Sequence, residues 1–337
     1  MRPSKIILFT FGLTLLVSTL FPITIKAQQS TKLSVSPVTF ELNANPGDKL
    51  TNQIKVSNLS DSELLLETKI ENIAGTGDRG QVQLTADDTT YSLSQWVGVD
   101  TTKFKLAPKE VRNLTFTIQV PANAEPGGHY GSLLVGTTAS ATSGSTGVGV
   151  GQKIGTLLLV KVSGQSNESA MIKSIAPKPY SGEWDEKLTA DGKTKILIPK
   201  TDNIPNVPAQ KYFDHGPIAF DLKFNNLGNV HIKPSGFVTI YDVFRRKVAE
   251  LPIDQRNVFP GSDRHIAVIW PKTKLWGGYY SAEATAIYGS ANQLMTNSIT
   301  FWVFPKTIAI AIAIVLITLV IIRKRLTRAI KILIRGA

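Results

Sequence analysis

The chain has 337 residues, 42% of them hydrophobic, with no cysteine and a formal net charge of +12. That length can bury more than one hydrophobic core, and the missing cysteine excludes thiol catalysis, thiolate metal sites and disulfides, leaving burial to supply stability. Three of the 37 basic residues lie in 1–27 and six follow Ile322, leaving 28 basic against 25 acidic in 28–306, a net +3 that provides no basic patch for nucleic acid.

From the N-terminus, Arg2 and Lys5 precede an apolar run from Ile6 to Phe21, with the small residue Ala27 shortly after it. A charged start, a short apolar stretch and a small residue predict a secretory signal peptide over 1–27, cleaved after Ala27. The alternative is an uncleaved N-terminal anchor.

Residues 28–306 read as β throughout. In Asn113–Val120, Leu114, Phe116, Ile118 and Val120 alternate with Asn113, Thr115, Thr117 and Gln119, the period of a strand with one buried face. Leu64, Leu66, Thr68 and Ile70 repeat the pattern, as do Ile218, Phe220, Leu222 and Phe224. Turn signals recur between them, at Asn45-Pro46-Gly47-Asp48, Pro108-Lys109-Glu110, Pro126-Gly127-Gly128 and Pro260-Gly261-Ser262-Asp263. Gly75-Thr76-Gly77-Asp78-Arg79-Gly80 spells the dinucleotide pattern G-x-G-x-x-G, but the alternating Gln81-Val82-Gln83-Leu84 follows where a helix would have to open. It reads as a hairpin loop.

A block order repeats along this region. Ile54-Lys55-Val56-Ser57-Asn58-Leu59-Ser60, the turn at Pro108 and Gly127-Gly128-His129-Tyr130 are matched by Leu222-Lys223-Phe224-Asn225-Asn226-Leu227-Gly228, the turn at Pro260 and Gly277-Gly278-Tyr279-Tyr280. The expectation is an all-β chain of two immunoglobulin-like β-sandwich domains, 28–165 and 166–304, followed by a single C-terminal transmembrane helix. Ala139–Gly151 reads as a small-residue loop joining two strands of the first domain. Residues 177–217 form a Pro-rich insert with little strand pattern outside Thr194–Ile198, long enough for a functional loop or a disordered segment.

Thr307–Ile322 carries no charge, glycine or proline. At 1.5 Å per residue it spans about 24 Å, short of a hydrocarbon core of roughly 30 Å. Adding Phe301–Phe304 closes the gap, placing Trp302 at the depth of an aromatic belt and Lys306 where it can snorkel. The transmembrane helix is thus expected over 305–322. Arg323, Lys324, Arg325, Arg328, Lys331 and Arg335 crowd the tail 323–337, which the positive-inside rule places in the cytoplasm with the bulk outside. Leu326, Ile330 and Leu333 share a helical face, so Arg323–Arg335 can lie on anionic inner-leaflet lipid.

No constellation for catalysis, cofactor or metal is found: His129, His215, His231 and His265 lack ligand spacing, and no G-x-S-x-G elbow or S-x-x-K pair occurs. His129 and Tyr130, and Trp276 with Tyr279 and Tyr280, have two readings. They could stack on a sugar or peptide, or the Gly-Gly could permit a tight strand entry while a tyrosine buries its ring and satisfies a backbone group. Their occurrence in both halves favours the structural reading.

Leu33-Ser34-Val35-Ser36-Pro37, Asn45-Pro46-Gly47-Asp48, Val56-Ser57-Asn58-Leu59-Ser60, Ser94-Gln95-Trp96-Val97, Leu106-Ala107-Pro108-Lys109-Glu110 and Val120–Gly131 together resemble the WxL-interacting protein family of bacterial surface proteins. The likeness is to that family's N-terminal peptidoglycan-binding domain and covers roughly residues 31–163. It implies attachment to cell wall and to partner surface proteins or host ligands. With no catalytic constellation found, the expectation is a non-enzymatic, membrane-anchored adhesion or scaffold protein that binds cell-wall peptidoglycan or other surface proteins. An extracytoplasmic assembly factor or accessory subunit is the alternative.

Overall fold

The computed structural model describes residues 33–86, 89–137, 153–188, 192–199 and 207–335; the expected signal peptide and the loop Ala139–Gly151 lie outside them. The N-terminal half contains β1 (Leu33–Ser36), β2 (Thr39–Ala44), β3 (Lys49–Asn58), β4 (Leu64–Thr76) and β5 (Gln81–Thr85). It continues with β6 (Val97–Val99), β7 (Lys103–Leu106), β8 (Val111–Gln119), β9 (Gly127–Thr137) and β10 (Lys153–Val162). The C-terminal half contains β11 (Ala170–Pro179), β12 (Trp184–Leu188), β13 (Lys195–Pro199), β14 (Tyr212–Phe213) and β15 (Ile218–Asn226). After them come β16 (Ser235–Tyr241), β17 (Lys247–Pro252), β18 (Asp263–Trp270), β19 (Gly278–Tyr288), β20 (Gln293–Val303) and the helix α1 (Lys306–Arg335).

The alternation seen in the sequence becomes burial. Along β8, Leu114, Phe116 and Ile118 are buried while Val111, Arg112 and Asn113 face water. They meet Ile54 and Val56 of β3 on one side, and Leu66, Leu133 and Leu158 of the facing sheet on the other. A second core gathers Phe220, Phe224, Ile240, Ala282 and Phe301. Full burial of each such large side chain contributes about 1.5–3 kcal/mol. The two cores hold both halves together without a disulfide.

The halves share one strand order. The N-terminal sheets run β1-β3-β8-β6 and β2-β10-β9-β4-β5; the C-terminal ones run β11-β15-β18 and β14-β20-β19-β16-β17. Even the parallel pairing at one edge recurs, β2 on β10 and β14 on β20. The repeated Asn blocks occupy equivalent places. Asn58 and Asn226 are both fully buried and end equivalent strands, β3 and β15. The backbone N–H of Asn58 donates to Glu110 O at 3.0 Å, and that of Asn226 to Ser262 O at 3.1 Å. Lys109 and Gly261 each take a left-handed conformation in the partner turn, at φ 60° and 65°.

Two expectations are corrected. Phe301–Phe304 does not extend the C-terminal apolar helix: Phe301 and Val303 are fully buried in β20, paired to Tyr280 and Gly278 of β19. The stretch long and apolar enough to cross a membrane is Lys306–Arg323, and the helix continues past it to Arg335 rather than starting earlier. The basic side chains beyond Arg323 lie outside the described residues. Residues 177–217, expected to show little strand outside Thr194–Ile198, begin inside β11 and build an antiparallel hairpin in which β13 covers that expected strand and β12 is an addition to it. That hairpin packs Trp184 and Leu197 against Tyr180, Ala219 and Ile269, which explains how so polar a stretch holds strand structure.

Candidate functional site: a polar groove where the halves meet

The two halves touch through elements far apart in sequence. At the end of the β4–β5 hairpin, the backbone N–H of His265 donates to Asp78 O at 2.6 Å, and Arg79 bridges to Arg264. The glycines of this loop serve docking. Gly77 turns the chain at φ 64°, and a Cβ on Gly75 would stand 2.8 Å from Phe259 Cβ. Gly80 is left-handed as well and lies against the Arg264 guanidinium.

Tyr130 of β9 is the centre of the contact. Its ring is edge-on to Phe259 at 5.1 Å and to His231 at 5.6 Å. Its hydroxyl accepts the backbone N–H of His231 at 2.7 Å and faces His231 Nδ1 at 3.3 Å. Beside it, Gly128 N–H donates to Asn229 O at 2.9 Å, and Asn229 Nδ2 donates to Pro126 O. Burial pushes the Tyr130 phenol up and takes the His231 imidazole down to about 4, with Lys161 and Lys233 adding to the fall and Glu41 opposing it. His231 is therefore neutral at pH 7.

Around this contact lies a groove of about 360 Å³ lined by polar groups from both halves, among them Glu41, Lys161, Glu168, Lys233, Asn257 and Ser290. Lys233 Nζ reaches Glu41 at 3.1 Å, and Asn257 Nδ2 donates to the same carboxylate at 2.7 Å. Lys161 pairs with Glu168 at 2.6 Å, and Glu168 also accepts from the backbone N–H and hydroxyl of Ser290. Burial alone would raise both carboxyls, but these hydrogen bonds and cations hold Glu41 and Glu168 below their usual range. The groove thus presents fixed charges of both signs; Asn257 Oδ1, buried beneath them, has no hydrogen-bond partner among the described residues. Lys233 also lines an adjoining groove of about 460 Å³ between β12–β13 and the β16–β17 edge, where Asp254 is held by Lys187 and Arg256.

The residues singled out in the sequence are dispersed. His129 and Tyr130 are buried, His129 with its ring tilted against Trp96 at 4.3 Å, so neither offers an open face to a ligand. Tyr280 is buried against Phe301 and donates its hydroxyl to Trp276 O at 3.0 Å. Trp276 and Tyr279 keep exposed surface at the opposite end of the C-terminal half. Sequence reading missed Glu41, Lys161, Glu168, Lys233 and Asn257; the hydroxyl-bearing Tyr130 at a strand start was the one local signal near them. Because the Lys233–Glu41 pair is partly exposed, Lys233→Ala is expected to cost no more than about 1 kcal/mol in denaturant unfolding. A larger loss would make the pair a structural tie rather than a surface for ligand.

Among the described residues no cluster of three or more His, Asp or Glu could hold a metal ion. Residues 19–136 match the family model described as WxL Interacting Protein, peptidoglycan binding domain. That match ends at the close of β9, although β10 completes the same sheet. No curated protein matches the chain. Solved structures similar to it include the class 5 fimbriae chaperone CfaA, at 11% identity over 81% of this chain and 99% of that one, TM-score 0.36. The E. coli chaperone DraB is 11% identical over 81% and 96%, TM-score 0.34, and the YadV chaperone 9% identical over 80% and 99%, TM-score 0.34.

Proposed function

Through residues 19–136 the chain belongs to the WxL interacting protein family, carrying its peptidoglycan binding domain, and from that premise we propose that it is a non-enzymatic, membrane-anchored surface protein that holds cell-wall polymer. The observation carrying this reading is the family match joined to the polar groove at the meeting of the halves. Peptidoglycan offers hydroxyls, acetamido groups and peptide carboxylates, and a groove of fixed lysines and carboxylates supplies donors and acceptors for them.

In this reading residues 28–165 and 166–304 are two β-sandwich domains. The helix α1 crosses the membrane once, leaving the β bulk outside and the basic tail on the inner leaflet. Support comes from the 18-residue window Lys306–Arg323, with mean hydropathy 2.4 and none of it buried. The bound wall would lie within reach of the anchored groove, and binding to other surface proteins through a sheet edge remains the second route. An assembly factor for exported proteins is the competing role.

Exposing intact cells to protease and incubating the full chain with purified peptidoglycan tests both parts. The expected result is digestion of the β region from outside, with polymer retained without a protein partner. Protection of the β region, or retention only of exported proteins, would contradict it.

A further inference from the structure

The end of the C-terminal half from which α1 leaves carries the most exposed aromatic side chains among the described residues. Phe244 is 74% exposed, Trp276 76%, Tyr212 72% and Phe304 65%. Pairing places them at one end. Gly278 opposes Val303 at the close of β20, Tyr212 pairs with Trp302, and Tyr241 is level with Ser281, which opposes Thr300. The turn bearing Phe244 therefore starts about 10 Å before the end of β20 and points toward it. Phe244 and Trp276 line one recess with Gly278. α1 begins at Lys306, three residues beyond Val303.

The charges at this end are mostly basic. Asp242 is bound by Arg246 and Asp214 by Lys306, whereas Lys211, Lys272 and Lys274 have no acidic partner among the described residues. Arg246 lies over the Phe244 ring at 5.1 Å and Arg245 over Tyr241 at 5.0 Å. Aromatic rings beside cations are the composition of a membrane–water interface, where the ring enters the headgroup layer and the cation meets phosphate. A solvated tip would have no reason to expose four large aromatics within reach of a span.

We propose that this end of the C-terminal half docks on the lipid headgroup layer of the membrane that α1 crosses, through Phe244, Trp276 and their neighbouring cations. The β bulk is then held at a set orientation rather than swinging on its tether. The inference rests on α1 being an anchor, so the test separates the two.

The chain has no cysteine, so single-cysteine variants of the full chain accept one fluorophore each. Phe244→Cys, Trp276→Cys, Val315→Cys in α1 and Leu59→Cys at the far end of the N-terminal half are reconstituted in phosphatidylglycerol–phosphatidylethanolamine vesicles containing brominated lipid. Quenching at positions 244 and 276 is expected to exceed that at 59 by at least threefold, with 315 quenched most. Quenching at 315 with 244 and 276 no higher than 59 would overturn the docking and leave the anchor standing. No quenching at 315 would overturn both.

Discussion

Asn58→Ala and Asn226→Ala are each expected to lower the unfolding free energy by about 2–4 kcal/mol, because each leaves several buried backbone groups without partners. Asn58 Nδ2 donates to Ser62 O, Leu106 O and Ala107 O at 2.7, 3.1 and 2.9 Å, and its Oδ1 accepts the N–H of Ser60 at 2.9 Å. Asn226 repeats this, with Nδ2 on Val230 O and Val258 O at 2.8 and 2.9 Å and Oδ1 on the N–H of Gly228 at 2.9 Å. Each amide thus ties the turn after its own strand to the segment leading into the partner strand. Aspartate is the informative control: it keeps the acceptor but brings a carboxylate against carbonyl oxygens, so Asn226→Asp should cost more than Asn226→Ala. Urea unfolding of the three variants reads this directly. Losses under about 1 kcal/mol at both positions would mean that the repeated Asn blocks do not secure the two halves.

Acid should weaken the junction before it reaches the carboxylates. His231 is held near 4 in the fold against an ordinary value of 6.5. Between those values the unfolded chain binds a proton that the folded chain refuses, so stability falls as pH drops. The loss begins near pH 6.5, is complete below about 4, and is on the order of 3 kcal/mol. Glu41, Glu168, Asp221 and Asp254 are all held below their usual range, so their contributions disappear only at lower pH. For Asp221 burial works against this, but His265 and Lys178 outweigh it. Thermal melts of the wild type and His231→Gln from pH 7.5 to 4 should converge as pH falls, since glutamine has no proton to take up. Parallel curves would show that His231 is not buried at the junction.

The chain's legibility follows which forces are local. Alternation in 113–120 and 218–224 announces β8 and β15 because half-buried strands write their burial in period two. The Asn-Leu-Ser and Asn-Leu-Gly blocks point to a repeat because the turn chemistry is carried by neighbouring residues. Phe301–Phe304 misleads because a strand buried by β19 and an extension of the adjoining span have the same apolar composition; pairing decides, and pairing is not local. The Gly75–Gly80 loop reads correctly as a hairpin, but its docking on Phe259 and Arg264 depends on a segment nearly two hundred residues later. The groove is hidden for the same reason. Glu41, Lys161 and Lys233 are ordinary surface residues in sequence and become a charged cleft only when β2, β10 and the segment before β16 meet.

That groove is the part of the proposed function most open to a direct measurement: sedimentation of the full chain with purified peptidoglycan, comparing wild type with Lys233→Ala at matched melting temperature. The wild type should pellet with the polymer, and the variant should need roughly tenfold more polymer to reach half-retention, the effect of losing a charge-assisted contact worth about 1.4 kcal/mol. Equal retention of the two proteins would remove the groove from the binding surface, and a folded wild type left in the supernatant would contradict wall binding itself.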